Sequence, residues 1–97
     1  MQKTSLILFC INSVISAKEK CDFERLVKEC FALSPKDFSF SKYPNWPDAR
    51  KLDRPLRKLR QENLISGDLQ NSFYLTKSGK KIAKEVSLTF RQNKLFK

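Results

Sequence analysis

The chain has 97 residues, a formal charge of +10, a pI near 9.8 and 40% apolar residues, enough for one small core and too apolar for a disordered tail. It contains no His and only two glycines, Gly67 and Gly79, which excludes imidazole-based nucleophilic dyads, imidazole metal sites and glycine-rich phosphate loops. The surplus of positive charge points to a polyanionic partner, nucleic acid first.

The first residues, Met1 to Ala17, follow the general plan of a secretory signal, with a basic start, an apolar run and Ser16-Ala17. Asn12, Ser13 and Ser16 interrupt the apolar stretch, and its removal would take away the first helix of a small core. The segment is therefore read as a retained helix over residues 4–16. Leu6, Ile7, Leu8, Cys10, Ile11, Val14 and Ile15 fill a broad arc at 100° per residue, a face wide enough to be buried against several neighbours. The run is too short to span a membrane.

Asp22 is placed to cap a second helix. Phe23, Leu26, Val27, Cys30 and Phe31 follow at i, i+3, i+4, i+7 and i+8, and Ser34-Pro35 is the stop. Cys10, Cys21 and Cys30 are an odd count without a CxxC pair, so no disulfide framework or structural zinc site is expected. Each sits among apolar neighbours and reads as a core residue, in keeping with a reducing cytoplasm.

Residues 36–47 hold four aromatics and two prolines and read as a loop. Phe38, Phe40, Tyr43 and Trp46 are expected to cap the core. The functional alternative is an aromatic surface for bases or for a protein partner.

Pro47-Asp48 opens a third helix, to about Glu62. Leu52, Leu56 and Leu59 form a narrow stripe, flanked by Ala49. Opposite them fall Arg50, Arg57, Gln61, Arg54, Lys58 and Lys51. Pro55 removes a backbone donor and should kink the helix or split it, with Asp53 as the cap of a second segment; one helix with a bend is expected. Asn63 to Asp68 and Ser72 to Thr76 predict a short hairpin whose inward residues are Phe73 and Leu75 by alternation. Thr76 or Ser78 caps a last helix with Ile82, Ala83, Val86 and Phe90 facing in. Arg91 to Lys97 reads as a polar, frayed tail. The whole, residues 1–97, is one domain with no repeat or linker.

The charge is uneven. Residues 1–35 carry a net +1, residues 36–65 a net +4 and residues 66–97 a net +5. Asp48, Asp53 and Glu62 are spread along the basic helix and do not converge, so no catalytic residue, metal site or cofactor is assigned and an enzyme is not expected.

Two stretches resemble the winged-helix family. Leu52-Asp53-Arg54-Pro55-Leu56-Arg57-Lys58-Leu59-Arg60-Gln61-Glu62-Asn63-Leu64-Ile65 looks like its recognition helix running into the wing strand, where the family often has a Gly near Asn63. Phe73-Tyr74-Leu75-Thr76-Lys77-Ser78-Gly79-Lys80-Lys81-Ile82-Ala83 resembles its aromatic-x-Leu-Thr-x-x-Gly returning strand and following helix. Pro55, the long aromatic linker and the short wing depart from the family pattern.

The resemblance implies a mainly α fold with a small β-hairpin: a winged helix-turn-helix with a three-helix core, a short wing and a C-terminal helix. It implies a DNA-binding protein, a transcriptional regulator or DNA-targeting module, whose third helix enters the major groove of double-stranded DNA. Arg50, Arg54, Arg57 and Gln61 are then the base-contacting residues, and Lys51, Lys58, Lys77, Lys80 and Lys81 the phosphate contacts. The hairpin tip, with an acid and no base, would contribute little. A homodimer or a larger protein partner would supply high specificity, and no membrane is implicated. The alternative is a winged-helix protein-interaction module using residues 38–46.

Overall fold

A computed structural model of the protein describes residues 2–68 and 70–95, with side chains described as far as Phe90. Helix α1 (Lys3–Ser16) is the central element. It touches α2 (Phe23–Leu33), α4 (Asp53–Gln61), α5 (Lys77–Leu95) and strand β2 (Tyr74–Leu75). Its broad apolar face explains this: Leu6, Ile7, Leu8, Cys10, Ile11 and Val14 are all buried. Phe9, on the opposite side of the wheel, packs on Phe90 of α5 with ring centroids 4.8 Å apart. A left-handed Lys18 ends α1, its amide donating to Ile15 and that of Glu19 to Val14, which satisfies two carbonyls of the last turn.

Helix α2 begins as its sequence predicts. The Asp22 carboxylate accepts from the Arg25 amide at 2.8 Å, and Leu26 and Cys30 are buried. Cys10, Cys21 and Cys30 are free and buried, the core positions expected of them, Cys21 despite its charged neighbours Lys20 and Asp22. Burial, reinforced by the charge of Asp22, pushes the Cys21 thiol up to about 11. Pro35 does not simply stop α2: it is the first residue of a separate single turn, α3 (Pro35–Phe38), a position its fixed φ suits.

The third helix is split rather than bent. Residues Ala49–Leu52 form a 3-10 turn, and α4 proper starts at Asp53. Pro55 thereby becomes the third residue of α4, where its missing N–H has no intrahelical acceptor to lose. Arg50 and Lys51 consequently stand on the 3-10 turn and not on the helix. Asp48 caps that turn by accepting from the Arg50 amide at 3.1 Å. Asp53 caps nothing: the residue before α4 is Leu52, and the Asp53 carboxylate turns to Arg57. Leu52, Leu56 and Leu59 are buried as one stripe.

Strands β1 (Ile65–Ser66) and β2 pair antiparallel, Ile65 opposite Leu75 and Ser66 opposite Tyr74. Phe73 and Leu75 point inward and Tyr74 outward, as alternation requires. Helix α5 is longer than its sequence predicts. Its backbone is helical through Leu95, so the tail expected to fray from Arg91 is helical for five residues more; Arg91 to Leu95 contains no Gly or Pro to break it. Residues 96 and 97 lie outside the described residues. Among the described residues, no helix is long and apolar enough to cross a membrane.

Candidate nucleic-acid interface

Helix α4 is attached to the body by one face. With Leu56 and Leu59 buried, the 100° step between residues turns Arg54, Arg57, Lys58 and Gln61 away from the core, and all four are exposed. Arg57 and Gln61 join Arg60 in lining a shallow surface depression. Arg60 and Arg57 also border Asp53, Leu56 and Phe73, so Arg60 lies on the flank nearer the hairpin. Arg60 was not among the residues the sequence singled out. Its place was readable from the helical phase, one residue after buried Leu59 and three after outward Arg57.

Arg50 projects from the 3-10 turn with 82% of its side chain exposed. It is nonetheless held. Its Nε donates to the Asp48 carboxylate at 3.2 Å, and its guanidinium carbon lies 5.6 Å from the centre of the Phe40 ring, within cation–π range. Burial opposes ionisation of Asp48, but the hydrogen bonds from the Arg50 side chain and amide outweigh it and hold the carboxyl below its ordinary range. Arg57 donates to Asp53 at 2.6 Å in an exposed i,i+4 pair. Such a pair is worth little in water and can be exchanged for another acceptor. Two acids of this surface, Asp48 and Asp53, are thus paired with its own arginines.

Four of the five phosphate candidates fall on α4 and α5, and the end of one meets the start of the other. Lys58 stands on α4. Lys77, Lys80 and Lys81 are exposed on the first turns of α5. The end of α4 is joined to the start of α5. Asn63 takes a left-handed φ of 57°, and the Asn63 and Leu64 amides return to the Arg60 and Leu59 carbonyls, closing α4 with a Schellman motif. The Thr76 hydroxyl then donates to the Asn63 carbonyl at 2.7 Å and accepts from the Gly79 amide at 3.1 Å. Thr76, not Ser78, is therefore the α5 cap. Lys51 is half-buried on the 3-10 turn.

The aromatic segment divides: Phe38 is in the core as expected, and Tyr43 and Trp46 are not. Phe38 is 1% exposed; it is a core residue and belongs to no partner surface. Phe40 is half-buried under Arg50. Tyr43 and Trp46 do not cap the core: they are 64% and 65% exposed. The reason is a turn. Trp46 N–H donates to the Tyr43 carbonyl, and Pro44 occupies the second position, where its fixed φ suits a β-turn. Backbone bonds, not aromatic packing, close the loop.

The hairpin tip is organised by Asp68, whose carboxylate accepts from the amides of Asn71 and Gln70. Those bonds, Asn71 foremost, outweigh partial burial and hold its carboxyl below the usual range. The tip presents no cation among the described residues. In comparisons with protein-family models, with curated proteins and with solved structures, nothing matches this chain.

Proposed function

We propose that this protein is a winged-helix DNA-binding module that reads the major groove of double-stranded DNA with α4. One observation carries the reading: α4 is anchored by a narrow leucine stripe, and its outward face is Arg54, Arg57, Lys58 and Gln61, exposed and without an apolar residue. A helix of this width fits the major groove. Arg50, Arg54, Arg57 and Gln61 offer the donors and acceptors that match base edges, and Arg60 joins them on the hairpin side. Lys51, Lys58, Lys77, Lys80 and Lys81 supply phosphate contacts that position without specifying. The hairpin contributes little, because Asp68 and not a cation stands at its tip.

A role in transcriptional regulation fits a small module that binds DNA through one helix, with a homodimer or protein partner extending its site. Three free, buried thiols suit a reducing cytoplasm. A second reading, a protein-docking module, is favoured by the exposure of Tyr43 and Trp46. Binding through those rings would respond weakly to salt.

The test is fluorescence anisotropy with mixed-sequence duplex DNA and the triple variant Arg50→Ala, Arg54→Ala, Arg57→Ala. A folded variant that has lost most of its affinity supports the reading. A folded variant that binds like the parent overturns it.

A further inference from the structure

The aromatic loop has features that the helix-in-groove reading does not use. Ser39 and Pro47 form an antiparallel bridge at its base. The Phe40 amide donates to the Trp46 carbonyl at 3.0 Å, and the Asp48 amide to the Phe38 carbonyl at 2.7 Å. The loop is therefore a closed, backbone-bonded projection whose outer rings, Tyr43 and Trp46, are held out in solvent. Tyr43 and Trp46 stand at the first and last positions of its turn, ring centroids 6.1 Å apart and inclined by 35°. Leaving two large rings mostly in water forgoes burial that a core would have used.

The charge around these rings bears on the occupant. Residues 38–47 contain one Lys, Lys42, and no acid, and the flanking Asp37 and Asp48 are bonded to Ser34 and Arg50. The loop's inner ring, Phe40, carries the Arg50 guanidinium, the first basic group of the proposed DNA-reading surface. The rings thus continue a cationic surface past one end of the α4 segment. Aromatic rings beside backbone-neutralising cations are the two elements of single-strand binding, since every base has a face to stack and every nucleotide a phosphate to neutralise.

We propose that Tyr43 and Trp46 form a stacking platform for unpaired bases, so that the preferred ligand is a DNA duplex carrying a single-stranded extension. The inference rests on the duplex-binding reading of α4 and adds the class of DNA end that the same surface takes. The duplex occupies α4, and the first unpaired bases beyond its end lie on the two rings.

Trp46 is the only Trp in the chain, so its fluorescence reports stacking directly. The full chain is titrated with a blunt duplex, with the same duplex carrying an extension of about six nucleotides on either the 3′ or the 5′ strand, and with the single strand alone. Anisotropy gives affinity and Trp46 emission gives stacking. One extended duplex is expected to bind about tenfold more tightly than the blunt one, the worth of one stacked base, and to quench Trp46. Tyr43→Ala with Trp46→Ala is expected to abolish that tenfold difference while leaving blunt-duplex affinity unchanged.

Equal affinity for blunt and extended duplexes with unchanged Trp46 emission overturns the platform, and it leaves α4 reading duplex if Arg54→Ala and Arg57→Ala still weaken the blunt complex. Blunt-duplex affinity unchanged by those arginine changes, with Trp46 quenched by the single strand and by neither extended duplex, overturns the duplex reading on which the inference rests. Emission unmoved by every DNA likewise overturns the platform, whatever the affinities.

Discussion

The Thr76 hydroxyl donates to the Asn63 carbonyl at 2.7 Å across thirteen residues of chain. The same oxygen accepts from the Gly79 amide, so one side chain closes the end of α4 and starts α5. Through this junction Lys77, Lys80 and Lys81 are set beside the end of the basic helix rather than elsewhere along the surface.

Thr76→Ala removes the cap and leaves the Asn63 carbonyl without its side-chain partner. The expected loss is about 1–2 kcal/mol, read from urea unfolding. Thr76→Ser keeps the hydroxyl and is expected to retain most of that stability. Equal losses for the two variants would show that the hydroxyl is not the source.

Gly79 gives a sharper expectation because its sign is unusual. Alanine in place of a helical glycine ordinarily stabilises by about 0.5–1 kcal/mol. Here an added Cβ would lie 2.0 Å from the Leu64 carbonyl oxygen, a backbone atom fixed in turn by the Thr76 amide. Gly79→Ala is therefore expected to destabilise by about 2 kcal/mol or more. A stabilised variant in thermal melting would contradict the close approach of α5 to the end of α4.

Pro55 tests the split of the third helix. In one continuous helix over 48–62, Pro55→Ala would restore an internal hydrogen bond and stabilise by about 3 kcal/mol. With α4 starting at Asp53, the proline occupies the first turn, and the same change is expected to shift stability by less than about 1 kcal/mol. Urea unfolding separates the two values.

Asp48 and Asp68 contribute to the acid sensitivity of the fold, beside Glu19, whose carboxyl the Arg25 hydrogen bond also lowers. Both aspartate carboxyls sit below their ordinary value in the folded chain. Their contribution is complete above the unfolded value near 4 and is lost as pH falls through the lower folded values. The urea midpoint is expected to be level from pH 7 to about 5 and to fall below about 4. Asp48→Asn and Asp68→Asn should each flatten that fall. A midpoint insensitive to both changes would contradict the bonding described around them.

Much of this architecture is legible in the sequence, for reasons that are local. Asp22 caps because a helix with strict apolar spacing follows it, and Phe73 and Leu75 turn inward because strand alternation leaves them no other face. Asp53 misled because its capping role assumed that the helix restarts one residue later than it does, and the 3-10 turn of Ala49–Leu52 decides that. Tyr43 and Trp46 misled because aromatic content predicts burial, whereas the Pro44 turn aims both rings outward. Helical phase puts Arg60 on the flank of the outward face, and the hairpin beside Phe73 makes that flank part of a surface.

The central claim is that α4 and the start of α5 form one DNA-binding surface, and the salt dependence of duplex binding tests it most directly. Anisotropy is measured from about 50 to 200 mM salt for the parent chain, for Arg50→Ala, Arg54→Ala, Arg57→Ala together, and for Lys77→Gln, Lys80→Gln, Lys81→Gln together. The parent is expected to show a slope of log affinity against log salt of roughly −4.5 to −6. The lysine variant is expected to lose about 3 from that slope, and the arginine variant to lose affinity at every salt concentration while remaining folded. A slope near zero, or folded variants that bind like the parent, would contradict the claim.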